Sequence, residues 1–202
     1  MKHIITVQHT QSIHHTNGMV GSWTDWDLTE LGKEQADRIG RALKEELAGK
    51  NVILYSSDLK RARQTAEAIA KHLGTEPILR RELRERNLGQ CCGKSVQWLR
   101  EHMECPERTV DDRLFPDGES RRDAWNRLLP FCREVTENGE ETVIIVSHGG
   151  LLCLWNAMFL GLPAESLERA EIHGPAGGVS HMLIGDDGRR RVRHINDMSY
   201  IL

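Results

Sequence analysis

A three-layer α/β architecture around a mostly parallel sheet is what this 202-residue chain predicts, and two observations carry that expectation. The runs Ile4-Ile5-Thr6-Val7 and Val143-Ile144-Ile145-Val146 are continuously apolar or β-branched, as suits central strands covered on both faces. Helix-period segments alternate with strand-like ones along the chain, the pattern that parallel pairing with helical crossovers requires. Each of the two runs ends in a histidine, through Gln8-His9 and Ser147-His148, the second followed by Gly149-Gly150. Ligands of open α/β sheets bind at the carboxyl ends of strands, so His9 and His148 become site candidates.

The elements follow in order. After the first strand, Thr10 to Asp27 forms a polar loop rich in His, Gly and Trp. A helix is expected from an N-cap at Thr29, with Leu31, Gln35, Ile39, Leu43 and Leu47 as its inward stripe. Asn51–Tyr55 reads as the next strand, and Ser57-Asp58 as the cap of a helix facing inward through Leu59, Ala62, Ala66, Ile69 and Leu73. A short strand near Pro77–Leu79 leads into the loop that carries Glu85 and Arg86. Residues 95–120 are charged and irregular, with a short helix at Val96–His102. A long helix turns Ala124, Leu128, Phe131 and Val135 inward. The strand Thr142–Ser147, a helix from Leu151 to about Leu160, and two antiparallel strands near 179–184 and 189–195 finish the chain. The whole reads as a single domain, residues 1–202, with a short cap or specificity segment at about 90–120.

Composition narrows the function. With 39% hydrophobic and 28% charged residues and a formal charge of −3, there is no nucleic-acid footprint, and no apolar stretch approaches a membrane span. Met1-Lys2-His3 runs straight into a strand without a signal-peptide pattern, so a cytoplasmic location is expected. Cys91, Cys92, Cys105, Cys132 and Cys153 have no CxxC spacing and read as free thiols rather than a zinc site. Adjacent His14 and His15 would point apart in an extended loop, so with His9 they make a poor chelate, and no metal is assigned. Arg189-Arg190-Arg191, beside Asp186-Asp187, reads as a solvated strand edge rather than a nucleic-acid patch.

The topology gathers His9, His148, Arg61 and Glu85 at one strand-end face, with Arg61 in the first turn of its helix, where an anion is favoured. Such a set suits phosphoryl transfer. A neutral imidazole attacks phosphorus, Arg61 and a protonated His148 hold the equatorial oxygens, and Glu85 protonates the leaving alkoxide. No step calls for a metal or cofactor.

The chain resembles the histidine phosphatase superfamily, also called phosphoglycerate-mutase-like. The likeness rests on Trp23-Thr24-Asp25…Leu28-Thr29-Glu30-Leu31-Gly32, Ser56-Ser57-Asp58-Leu59-Lys60-Arg61-Ala62-Arg63-Gln64-Thr65-Ala66, Leu83-Arg84-Glu85, Phe115-Pro116-Asp117-Gly118-Glu119-Ser120 and Ser147-His148-Gly149-Gly150. The resemblance implies His9 as the phosphorylated nucleophile, Arg61 and His148 as the phosphate pocket, with Gly149 beside it, and Glu85 as proton donor. It also exposes departures. Gln8-His9-Thr10 stands where the family has Arg-His-Gly, His15 and Met19 where Asn and Arg are usual, and Cys91-Cys92 where a Trp-Glu pair is common. One phosphate arginine is thus missing, a loss of a few kcal/mol unless replaced. Gln8 with His15 or Arg86 is the expected replacement, and Thr10 makes a positive φ after His9 unfavourable. The expected function is a metal-independent phosphatase acting on a small phosphorylated metabolite, as a monomer or as a homodimer. The alternatives are a phosphoglycerate-type mutase, disfavoured by the short segment after Glu85, and a weak pseudophosphatase that only binds phosphorylated ligands.

Overall fold

The computed structural model describes all 202 residues. Six strands form one sheet: β1 (Lys2–Gln8), β2 (Ile53–Ser57), β3 (Ile78–Arg80), β4 (Thr142–Ser147), β5 (Val179–Ile184) and β6 (Arg190–Asp197), in the order β3-β2-β4-β1-β5-β6. The first four in that order are parallel, and β5 and β6 run antiparallel. The helices are α1 (His14–Asn17), α2 (Glu30–Glu46), α3 (Lys60–Leu73), α4 (Val96–His102), α5 (Arg121–Glu137) and α6 (Gly149–Phe159).

The alternation of side chains along the strands builds the three layers. Ile5, Val7, Leu54, Ile144 and Val146 pack against α2 and α3, while Ile4, Tyr55, Val143 and Ile145 pack against α5 and α6. A small third cluster, Val20, Cys91 and Phe115, holds the segment after Glu85 with Trp98 and Leu99 of α4. The register of β1 with β4 pairs Gln8 with Ser147, so His9 and His148 leave the sheet side by side.

Several boundaries and faces differ from the sequence reading. Leu31 is 49% exposed, and α2 faces inward through Gly32, Ala36, Ile39, Gly40 and Leu43. The reason is close approach: a Cβ on Gly32 would lie 1.9 Å from the Gln11 carbonyl oxygen, a contact that hydrophobic periodicity does not register. The strand read at Asn51–Tyr55 runs Ile53–Ser57, so Ser57 ends a strand, and Leu59 occupies the cap of α3. The helix read from Leu151 starts at Gly149, because the strand turns directly into it at His148. The loop after β1, expected to be extended, contains the single helical turn α1. All five cysteines are free thiols. At the sheet edge, Arg191 pairs with Asp187 while Arg190 donates to the Met158 and Phe159 carbonyls that end α6. No helix is long and apolar enough to cross a membrane.

Candidate active site

A cavity of about 390 Å³ opens at the carboxyl ends of β1 and β4. Its wall includes Gln8, His9, His15, Arg61, Glu85, Arg86 and Gly149, so seven of the eight residues expected at the site line one space. The eighth, His148, is fully buried beside His9, with ring centroids 5.1 Å apart in an edge-to-face arrangement.

Two neighbours fix the His9 imidazole. Its Nδ1 lies 2.9 Å from the Thr10 carbonyl oxygen, which can only accept, so Nδ1 carries the proton. Arg61 Nε, which can only donate, reaches His9 Nε2 at 3.1 Å. Both contacts demand the same tautomer, and Nε2 holds the lone pair. Burial, with Arg61 beside it, keeps the ring well below the usual imidazole pKa. Thr10 holds its place without a positive φ, its hydroxyl donating to the Gly32 carbonyl at 2.7 Å.

Arg61 is itself buried, which pushes it down to about 10, and it remains a cation at neutral pH. Its other two nitrogens donate to the carbonyls of Ser22 and Thr24, both at 2.8 Å. Ser22 has φ +44°, one of two non-glycine residues in the left-handed region. Its backbone is held there by its hydroxyl, which donates to the Arg86 carbonyl and accepts from the Leu88 amide. The loop residues around Trp23 therefore orient Arg61.

His148 departs from expectation in charge. Burial, reinforced by Arg61, holds it well below the usual imidazole pKa, so the ring is neutral in the free site rather than protonated. Ser57 Oγ accepts from the Leu59 amide and sits 2.8 Å from His148 Nε2. If Ser57 donates its hydroxyl proton to Nε2, only one group is left unpaired, the His148 Nδ1–H. The opposite tautomer would leave two.

Glu85 accepts from the amides of Arg86, at 2.9 Å, and Gly150, at 3.1 Å. A Cβ on Gly150 would come 2.6 Å from the carboxylate, so the second glycine of the pair is what admits it. The backbone of this loop is clamped. Trp23 Nε1 donates to the Glu85 carbonyl at 2.6 Å, and Arg127 donates to the carbonyls of Glu82, Arg84 and Glu85 while forking onto Glu119. Arg84 stacks over the Trp23 ring, 4.8 Å from its centroid, and forks onto Asp58.

The residues expected to support Gln8 at the phosphate fare differently. The Gln8 amide rests against Gly149, whose Cβ would meet it at 3.1 Å, and forms no hydrogen bond within the protein. His15 stacks parallel to His9 at 5.4 Å, and its Nδ1 accepts from the Ser12 amide at 3.2 Å, which leaves Nε2–H as a donor. Arg86 is instead ion-paired with Glu107, a residue of the 90–120 segment. Sequence reasoning missed Arg121, Glu171 and His173 at the outer wall, because they come from α5 and from a loop without a motif. Arg121 pairs with Glu171 at 2.7 Å.

The histidine phosphatase superfamily (branch 1) matches residues 4–198. The chain belongs to that superfamily. Among relatives of this histidine phosphatase, a protein of Escherichia coli O1:K1 named probable phosphoglycerate mutase GpmB is 33% identical over 180 residues, covering 85% of this chain and 81% of the relative. A glucosyl-3-phosphoglycerate phosphatase of Mycolicibacterium vanbaalenii is 29% identical over 183 residues, covering 82% and 77%. The solved structure of Bacillus stearothermophilus YhfR superposes with a TM-score of 0.84 over all of both chains at 24% identity, a likeness of fold.

Proposed function

We propose that this histidine phosphatase is a phosphoric monoester hydrolase that cleaves a small phosphoester through a phosphohistidine on His9. The observation that carries the reading is the doubly enforced His9 tautomer, which keeps Nε2 unprotonated at the cavity wall, where it accepts from Arg61 until a phosphoryl group draws the guanidinium onto its own oxygens. Nε2 attacks phosphorus in line, and the bond to the ester oxygen breaks as Glu85 gives that oxygen a proton. Water then attacks the phosphohistidine, Glu85 takes its proton back, and inorganic phosphate leaves with His9 neutral again. Arg61, the unspent Nδ1–H of His148, the Gln8 amide and the His15 Nε2–H hold the phosphoryl oxygens. The N-terminus of α6 at Gly149 adds the favourable end of a helix dipole.

The alcohol half of the substrate meets a neutralised wall. Arg86 is matched by Glu107 and Arg121 by Glu171, which suits a polar, uncharged leaving group better than a second anion. The cap is one helix of seven residues, α4, and its loops leave the cavity open to water, favouring hydrolysis over mutase transfer. A binding-only protein would have no use for the His9 tautomer. p-Nitrophenyl phosphate is the test. Wild type should release p-nitrophenol and His9→Ala should not; equal rates would defeat the reading.

A further inference from the structure

The sequence gives no reason to expect adjacent histidines to converge, yet the turn α1 brings the His14 and His15 rings within 4.0 Å, centroid to centroid. The His14 ring is 5.8 Å and the His15 ring 5.4 Å from that of His9. One ring nitrogen from each of the three lies within 4.8 Å of the others. Hydrolysis has a use for His9 and His15 but none for His14.

We propose that His9, His14 and His15 form a site for a zinc-class divalent cation whose occupancy masks the His9 nucleophile and inhibits hydrolysis. Three imidazoles and a water are a donor set that zinc accepts. Tetrahedral bonds of 2.0–2.1 Å place ligand nitrogens about 3.4 Å apart, so the rings must close by roughly 1 Å or more. Such a shift is open to them, because His15 is exposed at the rim and His14 half-buried.

The groups around His9 and His14 are arranged for coordination at Nε2. The Thr10 carbonyl holds the His9 Nδ1–H, the usual outer contact of a metal-bound histidine. Ser12 Oγ occupies His14 Nδ1 at 2.5 Å, leaving that ring's Nε2 for the cation. Gly21 makes room for it: a Cβ there would lie 2.9 Å from His14 Nε2. Two features oppose binding. Arg61 must release His9 Nε2, and its positive charge faces the cation. His15 must move its proton from Nε2 to Nδ1 through solvent and give up the Ser12 amide. The cation therefore binds reversibly, more weakly than in a closed structural site, and competes with the substrate for His9.

The inhibition rests on His9 being the nucleophile; the cation site itself does not. The test uses the full chain freed of metal by a chelator, with Zn²⁺ titrated by calorimetry and Co²⁺ read by its visible absorption. Wild type should bind one cation per chain with the intense bands of tetrahedral cobalt. Zinc at ten times its dissociation constant should lower kcat/KM for p-nitrophenyl phosphate about ten-fold by simple competition. His14→Ala and His14→Gln should each weaken zinc binding at least ten-fold, with their metal-free turnover reporting that they are folded. Undetectable binding to wild type, or binding and inhibition unchanged in both variants, overturns the proposal. If metal-free wild type fails to hydrolyse the ester, the phosphatase reading falls, while the calorimetric comparison still decides the cation site.

Discussion

The His9 ring is constrained by one group that can only accept and one that can only donate, and this makes its protonation state a property of the backbone and of Arg61. At the neighbouring position Gln8 offers an amide where a guanidinium is expected, and we propose the compensating role for His15, whose Nε2–H is left over after Nδ1 accepts from Ser12. Losing one hydrogen bond to a charged group corresponds to roughly a ten-fold change or more. His15→Ala should therefore raise KM for p-nitrophenyl phosphate about ten-fold, and Gln8→Arg in that background should recover most of the loss. Steady-state kinetics of the single and double variants check this; an unchanged KM in His15→Ala would remove His15 from the pocket. Arg86, the other proposed replacement, is engaged by Glu107 and is given no such role.

At the scale of elements, the parallel register of β1 and β4 delivers His9 and His148 together, and this much was legible in two apolar runs that each end in histidine. Glu85 was legible as a residue but not as a held one. The fork of Arg127 onto Glu119, with three carbonyls of the Glu85 loop on the same guanidinium, joins α5 to a loop some forty residues earlier, and no local pattern encodes such a contact. Arg127→Lys keeps the charge but cannot supply the fork. It should lower kcat for p-nitrophenyl phosphate by about ten-fold or more while KM moves little, since a misplaced proton donor penalises chemistry rather than binding. A variant with wild-type kcat would show that the Glu85 loop does not need the clamp. The same limit explains the misplaced stripe of α2, whose inward face is built on glycines that let backbones touch.

Across the whole molecule, buried neutral histidines couple stability to pH. Desolvation holds His9 and His148 well below the usual value, His181 down to about 4 and His14 down to about 3. Because these folded values are depressed, the unfolded chain binds more protons once pH drops below about 6.5, and stability falls with pH from there toward the folded values. Carboxylates held down by partners, such as Asp58 by Arg84, act only at lower pH. The urea midpoint should therefore be lower at pH 5 than at pH 7, and an unchanged midpoint would contradict the neutral, buried assignment. The layers and the mostly parallel pairing followed from periodicity in the sequence, whereas the burial that sets these protonation states depends on packing from both faces at once. Hydrolysis by this route depends on a covalent bond to one nitrogen. Rapid acid-free quenching during turnover, followed by peptide mass mapping, should find an acid-labile phosphoryl group on His9 in wild type and none in His9→Asn. A wild-type enzyme that turns over without phosphorylating His9, or that carries the group on another residue, would contradict it.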